Sequence, residues 1–321
     1  MKRPYFFEIF VLVNLAIVVA FAYESLPLLG RPLMTVIRLV LSFAAQAALG
    51  VIVRWVLSRE YRRTIRSAEW LTDTLRLVVA AALVVFTYGW IKLTVPVYHA
   101  TLFDQVFWDL DQLLGFGVAP TVFLLDLFGT PAFLRTIDWL YANIFFASTI
   151  VASMYFLSDP RKRIRIAFAN GYAALWITGA WLYLALPSLG PAYAFKDIWM
   201  AHGDTLRITQ YFQALLMRNY QNVLRAASGQ PSGGVSIVFG IGAFPSLHVA
   251  FQTYVFLWMR KLWTSGEVLF GIFAATIFLG SMITGWHYLV DGIAGALLAY
   301  GCYRIVYPDA VRRTDENDAE H

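Results

Sequence analysis

The stretch LTDTLRLVVAAALVVFTYGWIKLTVPV, residues 71–97, holds fifteen consecutive uncharged residues between Arg76 and Lys92. As an α-helix rising 1.5 Å per residue it extends about 40 Å, more than the ~30 Å hydrocarbon core of a bilayer. Arg76 and Lys92 stand near its ends, where long aliphatic stems can carry a charge to the interface. Seven further apolar stretches lie near 6–22, 33–57, 134–157, 164–186, 244–260, 267–284 and 286–305. Together they predict an all-α, polytopic membrane helical bundle. It has eight transmembrane helices, six of them forming a core, and extracytoplasmic interfacial helices.

Composition agrees. Apolar residues make up 59% of the 321 and charged residues only 14%, where a soluble domain carries about 25% charged. Too few charges remain to cover a water-facing surface. That excludes an ordinary soluble enzyme, a disordered chain and a nucleic-acid-binding domain. Cys302 is the only cysteine, which excludes an intrachain disulfide and a cysteine-rich metal site.

The basic residues set an orientation. Alternating spans place 16 of the 25 Lys and Arg on one side: Lys2, Arg3, Arg54, Arg59, Arg62, Arg63, Arg66, Arg161, Lys162, Arg163, Arg165, Arg260, Lys261, Arg304, Arg312 and Arg313. Six fall on the other side: Arg31, Arg135, Lys196, Arg207, Arg218 and Arg225. By the positive-inside rule both termini are cytoplasmic. Residues 1–22 resemble a signal peptide, but Glu8 and Asn14 interrupt the apolar run, so a retained helix is expected. The chain reads as one integral membrane domain: N-terminal helices over 1–98, a catalytic core over 99–305 and a cytoplasmic tail over 306–321. Short loops and tail suggest a bacterial inner membrane.

Two outer segments exceed simple loops. In 99–133, Phe103, Val106, Phe107, Leu110, Leu113 and Leu114 recur at helical spacing, predicting an interfacial helix with Asp104, Trp108 and Asp111 on another face. In 187–243, Asp204 is the expected N-cap of a helix over 205–227. There Arg207, Arg218 and Arg225 fall on one stripe.

Chemistry concentrates in AFPSLHVA (243–250) and GSMITGWHYLVDGIAG (280–295). The 39 positions from His248 to His287 are enough for two helices to cross the bilayer and return, bringing both histidines to the outer face. His287 and Asp291, four apart, share a helix side. An aspartate one turn inside a span is costly unless paired, and His287 is its natural partner. These residue types suit phosphoryl transfer. A neutral imidazole attacks phosphorus, a carboxylate fixes its tautomer, and a second imidazole shuttles the proton.

FPSLH and GWHYLVD resemble the second and third motifs of the type 2 phosphatidic acid phosphatase superfamily. With LFDQVFWDLDQLLGFG (102–117), they are most similar to its inositol phosphorylceramide synthase-like (aureobasidin-target-like) branch. The resemblance implies His287 as nucleophile, Asp291 as its orienting acid, His248 as general acid/base and Ser246 as a phosphate-side residue. Two departures stand out. The superfamily's Lys-x6-Arg-Pro motif has no counterpart here, and Gly280-Ser281 stands where Ser-Arg begins the third motif. Phosphate-binding cations are therefore missing from their usual places, which favours a phosphodiester donor, with one charge fewer, over a phosphomonoester.

The expectation is a lipid phosphotransferase, sphingolipid-related, acting through a phosphohistidine. It moves a head group from a glycerophospholipid donor to a lipid alcohol acceptor such as ceramide, on the extracytoplasmic face. A lipid phosphate or polyprenyl diphosphate phosphatase is the alternative reading, and a transporter a remote one. Arg207, Arg218 or Arg225 is expected on the donor phosphate, and Asp104, Asp109 and Asp111 on a polyol head group. His202 and Asp204 lack further ligands, so neither metal nor cofactor is expected. The partners are lipids and the bilayer, with no nucleic acid.

Overall fold

The computed structural model describes residues 3–65, 67–99, 101–263 and 266–311; these are helical, with no strand among them. The chain begins with α1 (Phe6–Ala22), α2 (Pro32–Leu57), the one-turn α3 (Tyr61–Thr64) and α4 (Ala68–Tyr98). Two short helices follow, α5 (Asp104–Leu114) and α6 (Pro120–Phe128), then the long α7 (Pro131–Ser158) and α8 (Lys162–Ala185). A second excursion holds α9 (Pro191–Ala194), α10 (Lys196–Met200) and α11 (Arg207–Ala227) before α12 (Leu247–Leu262), α13 (Gly266–Ile283) and α14 (Leu289–Val311).

All eight predicted apolar stretches are long helices. Six are long and apolar enough to cross a membrane: Phe6–Leu29, α2, α4, α7, α13 and Leu289–Pro308. The other two are enclosed by them: α8 packs against α1, α4 and α14, and α12 against α13 and α14. Outward faces remain apolar, as at Leu12, Leu41, Val56 and Leu297, which suits a surround of hydrocarbon rather than water. Five of the eight apolar helices, α7, α8, α12, α13 and α14, begin within 99–305, and α4, from the N-terminal part, packs against α8 beside them. The expected tail from 306 is helical as far as Val311; residues 312–321, with Lys2 and Arg66, lie outside the described residues.

Helix starts follow local chemistry. Pro32, Pro120 and Pro131 occupy first helical positions, where a missing N–H costs nothing. Ser67, Thr130 and Ser246 cap α4, α7 and α12 through their hydroxyl oxygens. Glycines set the helix separations. At Gly171, Gly179 and Gly295 a Cβ would overlap Tyr254, Leu247 and the Ser246 carbonyl respectively, so α12 lies tight against α8 and α14. Between them Phe156, Phe168, Tyr254 and Trp258 form a continuous aromatic core.

One end of the bundle gathers the basic residues. Arg54 and Arg161 both pair with the buried Asp159, at 3.3 and 2.7 Å, and Lys162 with Glu69 at 2.6 Å. Glu8, which interrupts the first apolar run, accepts from Arg76 Nε at 2.6 Å. Asn14 accepts from Trp181 Nε1 at 2.8 Å. The two polar residues inside α1 are thus satisfied by other helices.

Candidate active site

The histidines lie at the end opposite the Asp159 cluster. His248 is in the first turn of α12, and His287 is in the loop between α13 and α14. The out-and-back course of α12 and α13 brings their ring centroids to 5.8 Å, nearly perpendicular at 84°. His287 is buried, with Nδ1 3.3 Å from Asp291 Oδ2. That oxygen also accepts from the Tyr288 backbone N–H at 2.9 Å, and Asp291 is fully buried. Burial, assisted by the nearby Lys92 ammonium and opposed by the Ala243 backbone, pushes the His287 imidazole down to about 3. With its proton on Nδ1 toward Asp291, a neutral ring carries its lone pair on Nε2, as a nucleophile requires.

His248 is held from α7. Its Nδ1 lies 2.7 Å from Tyr141 Oη, and Phe145 packs edge-on against the ring at 4.2 Å. The sequence signal for Tyr141 is weak: one tyrosine on an apolar helix 107 residues away. Ser246 is fully buried and caps α12, its Oγ accepting from Val249 N at 3.3 Å. Its own N–H donates to the Asp291 carbonyl at 2.9 Å. Ser246 therefore fixes the helix that carries His248.

Helix α5 works as a clamp behind both motifs, with its faces the reverse of those of a water-facing helix. Val106, Leu110, Leu113 and Leu114 are exposed, while Asp104, Phe107 and Asp111 are buried. Asp104 accepts from the Gly190 N–H at 2.8 Å, from Leu189 N–H and from Tyr288 Oη at 2.9 Å. Asp111 accepts from the N–H groups of Leu289 and Val290, at 2.7 and 3.0 Å, and so caps α14 from another helix. Phe107 stacks on Phe244 at 4.7 Å and tilts against Tyr288 at 6.1 Å. Burial raises both carboxyls, that of Asp111 to about 6, and the backbone N–H bonds oppose the shift. These two aspartates hold the loop and helix start that carry His287 and Asp291, and protein donors engage the carboxylates expected on a polyol. Asp109 is exposed and accepts from Gln105.

The same device replaces the expected Asp204 cap. Asp138 of α7 accepts from Ile208 N at 2.9 Å and Thr209 N at 2.8 Å, capping α11 across the fold. Asp204 is exposed, and only its carbonyl is engaged, by Arg207 Nε at 3.0 Å. Arg207, Arg218 and Arg225 all lie exposed on α11, and no contact joins them to either histidine among the described residues. Their expected phosphate role finds no support in this placement. Among the described residues no cluster of His, Cys, Asp and Glu could hold a metal ion.

Residues 105–305 match the PAP2 superfamily, and both histidine motifs and the clamp's Asp111 lie inside that match. The chain belongs to the PAP2 superfamily. No curated protein and no solved structure matches the chain. Helices α1, α2 and α4 precede the part of the chain that defines this PAP2 protein's family.

Proposed function

We propose that this PAP2 protein is a lipid phosphotransferase whose reacting groups are His287, His248 and Asp291. The observation that carries the reading is the facing pair of imidazoles, one backed by a buried carboxylate and the other by a tyrosine hydroxyl. The His287 Nε2 lone pair attacks the phosphorus of a glycerophospholipid donor while Nδ1–H donates to Asp291. The bond from phosphorus to the glycerol oxygen breaks, and protonated His248 gives its Nε2 proton to that oxygen, releasing diacylglycerol. The head-group phosphate stays on His287. A lipid alcohol, ceramide in the synthase-like version, then gives its hydroxyl proton to His248 Nε2 and attacks phosphorus, and the P–N bond breaks. Throughout, His248 Nδ1–H donates to Tyr141 Oη, which leaves Nε2 as the only ring atom exchanging protons. The histidine end is remote from the basic cluster, which by the positive-inside rule supports an active site on the extracytoplasmic face; short loops favour a bacterial inner membrane.

The test uses the purified full chain in mixed micelles with head-group-labelled phosphatidylinositol, with and without ceramide. Label should move to ceramide, and His287→Ala should abolish transfer. Normal transfer by His287→Ala refutes the scheme. Label released to water at the same rate without ceramide assigns the protein to the hydrolases instead.

A further inference from the structure

Lys92 lies in the outer third of α4 between residues that are almost fully buried: Trp90, Ile91, Leu93 and Thr94. A lysine in such a setting is costly unless its charge is met. Its Nζ is 3.1 Å from Tyr88 Oη and lies over the Tyr183 ring at 4.9 Å, so both partners are neutral. Among the described residues no carboxylate comes within ion-pair distance of it. An ammonium has three donors, and one is used.

The neighbourhood of Lys92 is the active site. The chain leading into His248 lies on this lysine and its tyrosine. A Cβ on Gly240 would come to 2.9 Å from the Lys92 Cγ, and one on Gly242 to 2.9 Å from the Tyr183 ring. Only glycine permits that approach. The Lys92 ammonium is near enough to His287 to help burial push that imidazole down. The cations that the usual first and third motifs would supply are missing, and the three arginines of α11 lie exposed. Helix α4 itself lies outside the family match.

We infer that Lys92 binds the donor phosphate between His248 and His287, taking the place of the missing motif cations. The inference rests on the phosphotransfer reading of that histidine pair. One ammonium matches the single negative charge of a phosphodiester, so the site selects diester donors over dianionic monoesters. Tyr88 and Tyr183 hold the side chain in place without neutralising it, because neither competes for its charge as a carboxylate would.

The experiment compares wild type with Lys92→Met, Lys92→Arg and His287→Ala as full chains in detergent. Transfer is followed from phosphatidylinositol, a diester, and from phosphatidic acid, a monoester. Protection against heat by orthovanadate gives a readout that needs no substrate. Lys92→Met should raise the donor KM and the protecting vanadate concentration at least tenfold, without lowering the melting temperature in the absence of vanadate. Lys92→Arg should restore most of both, and wild type should prefer the diester. Unchanged KM and vanadate protection in Lys92→Met, with His287→Ala inactive, overturns the role of Lys92 and leaves the site reading intact. Activity retained by His287→Ala overturns the site reading itself. A wild-type preference for phosphatidic acid overturns the selection of diesters.

Discussion

Replacing Asp111 with alanine separates a structural carboxylate from a substrate-binding one. The change strips the acceptor from two backbone N–H groups, of Leu289 and Val290, at the start of α14. Both bonds are partly buried, and each orphaned N–H costs about 1–3 kcal/mol, so roughly 2–6 kcal/mol is expected for the pair. At roughly 2 °C per kcal/mol for a chain of this size, the melting temperature should fall about 4–12 °C, read at one fixed scan rate. Asp291 immediately follows Val290, so kcat should fall as this turn loosens while the donor KM holds. The isosteric Asp111→Asn adds a pH signature. A carboxyl raised to about 6 in the fold binds its proton more tightly folded than unfolded. Its stabilising contribution is full below the unfolded value near 4 and is lost as pH rises through about 6. The advantage of wild type over Asp111→Asn should therefore be greatest in acid and narrow towards neutrality. An unchanged melting temperature, with a raised KM confined to polyol head groups, would refute this reasoning and restore Asp111 to the substrate.

Tyr141→Phe removes the partner of His248 Nδ1 and should lower kcat about tenfold for the loss of one hydrogen bond of somewhat over 1 kcal/mol, with little change in donor KM; an unchanged kcat in steady-state transfer assays would count against the pairing. Gly295→Ala drives a methyl into the Ser246 carbonyl at the head of α12. Backbone cannot yield there as a side chain would, so a loss of about 1–3 kcal/mol in thermal stability and a disproportionate loss of turnover are expected. The triple change of Arg207, Arg218 and Arg225 to alanine should leave donor KM and kcat as they are. A rise in KM would return one of those arginines to the phosphate.

Much of the molecule was legible along the chain because the bilayer imposes it. A span must be apolar for about 20 residues and helical throughout, so hydropathy alone located the eight long helices. Spacing did the same for the site: 39 residues from His248 to His287 is the length of a return crossing, and four residues from His287 to Asp291 is one helical turn. What faces what could not be read this way. Asp104 and Asp111 appear in sequence as free acids on an amphipathic helix; only docking of α5 reveals that distant N–H groups occupy them. The arginines of α11 form a stripe by periodicity, and the fold leaves that stripe exposed. Tyr141 meets His248 and Lys92 meets the backbone at Gly240 across more than a hundred positions in sequence, where local pattern carries no information. Sequence fixes periodicity and therefore the elements, since backbone geometry is local. Partner choice for each buried polar group is decided by packing, because an unsatisfied charge or N–H in a low-dielectric interior must be met by whichever element the fold brings beside it.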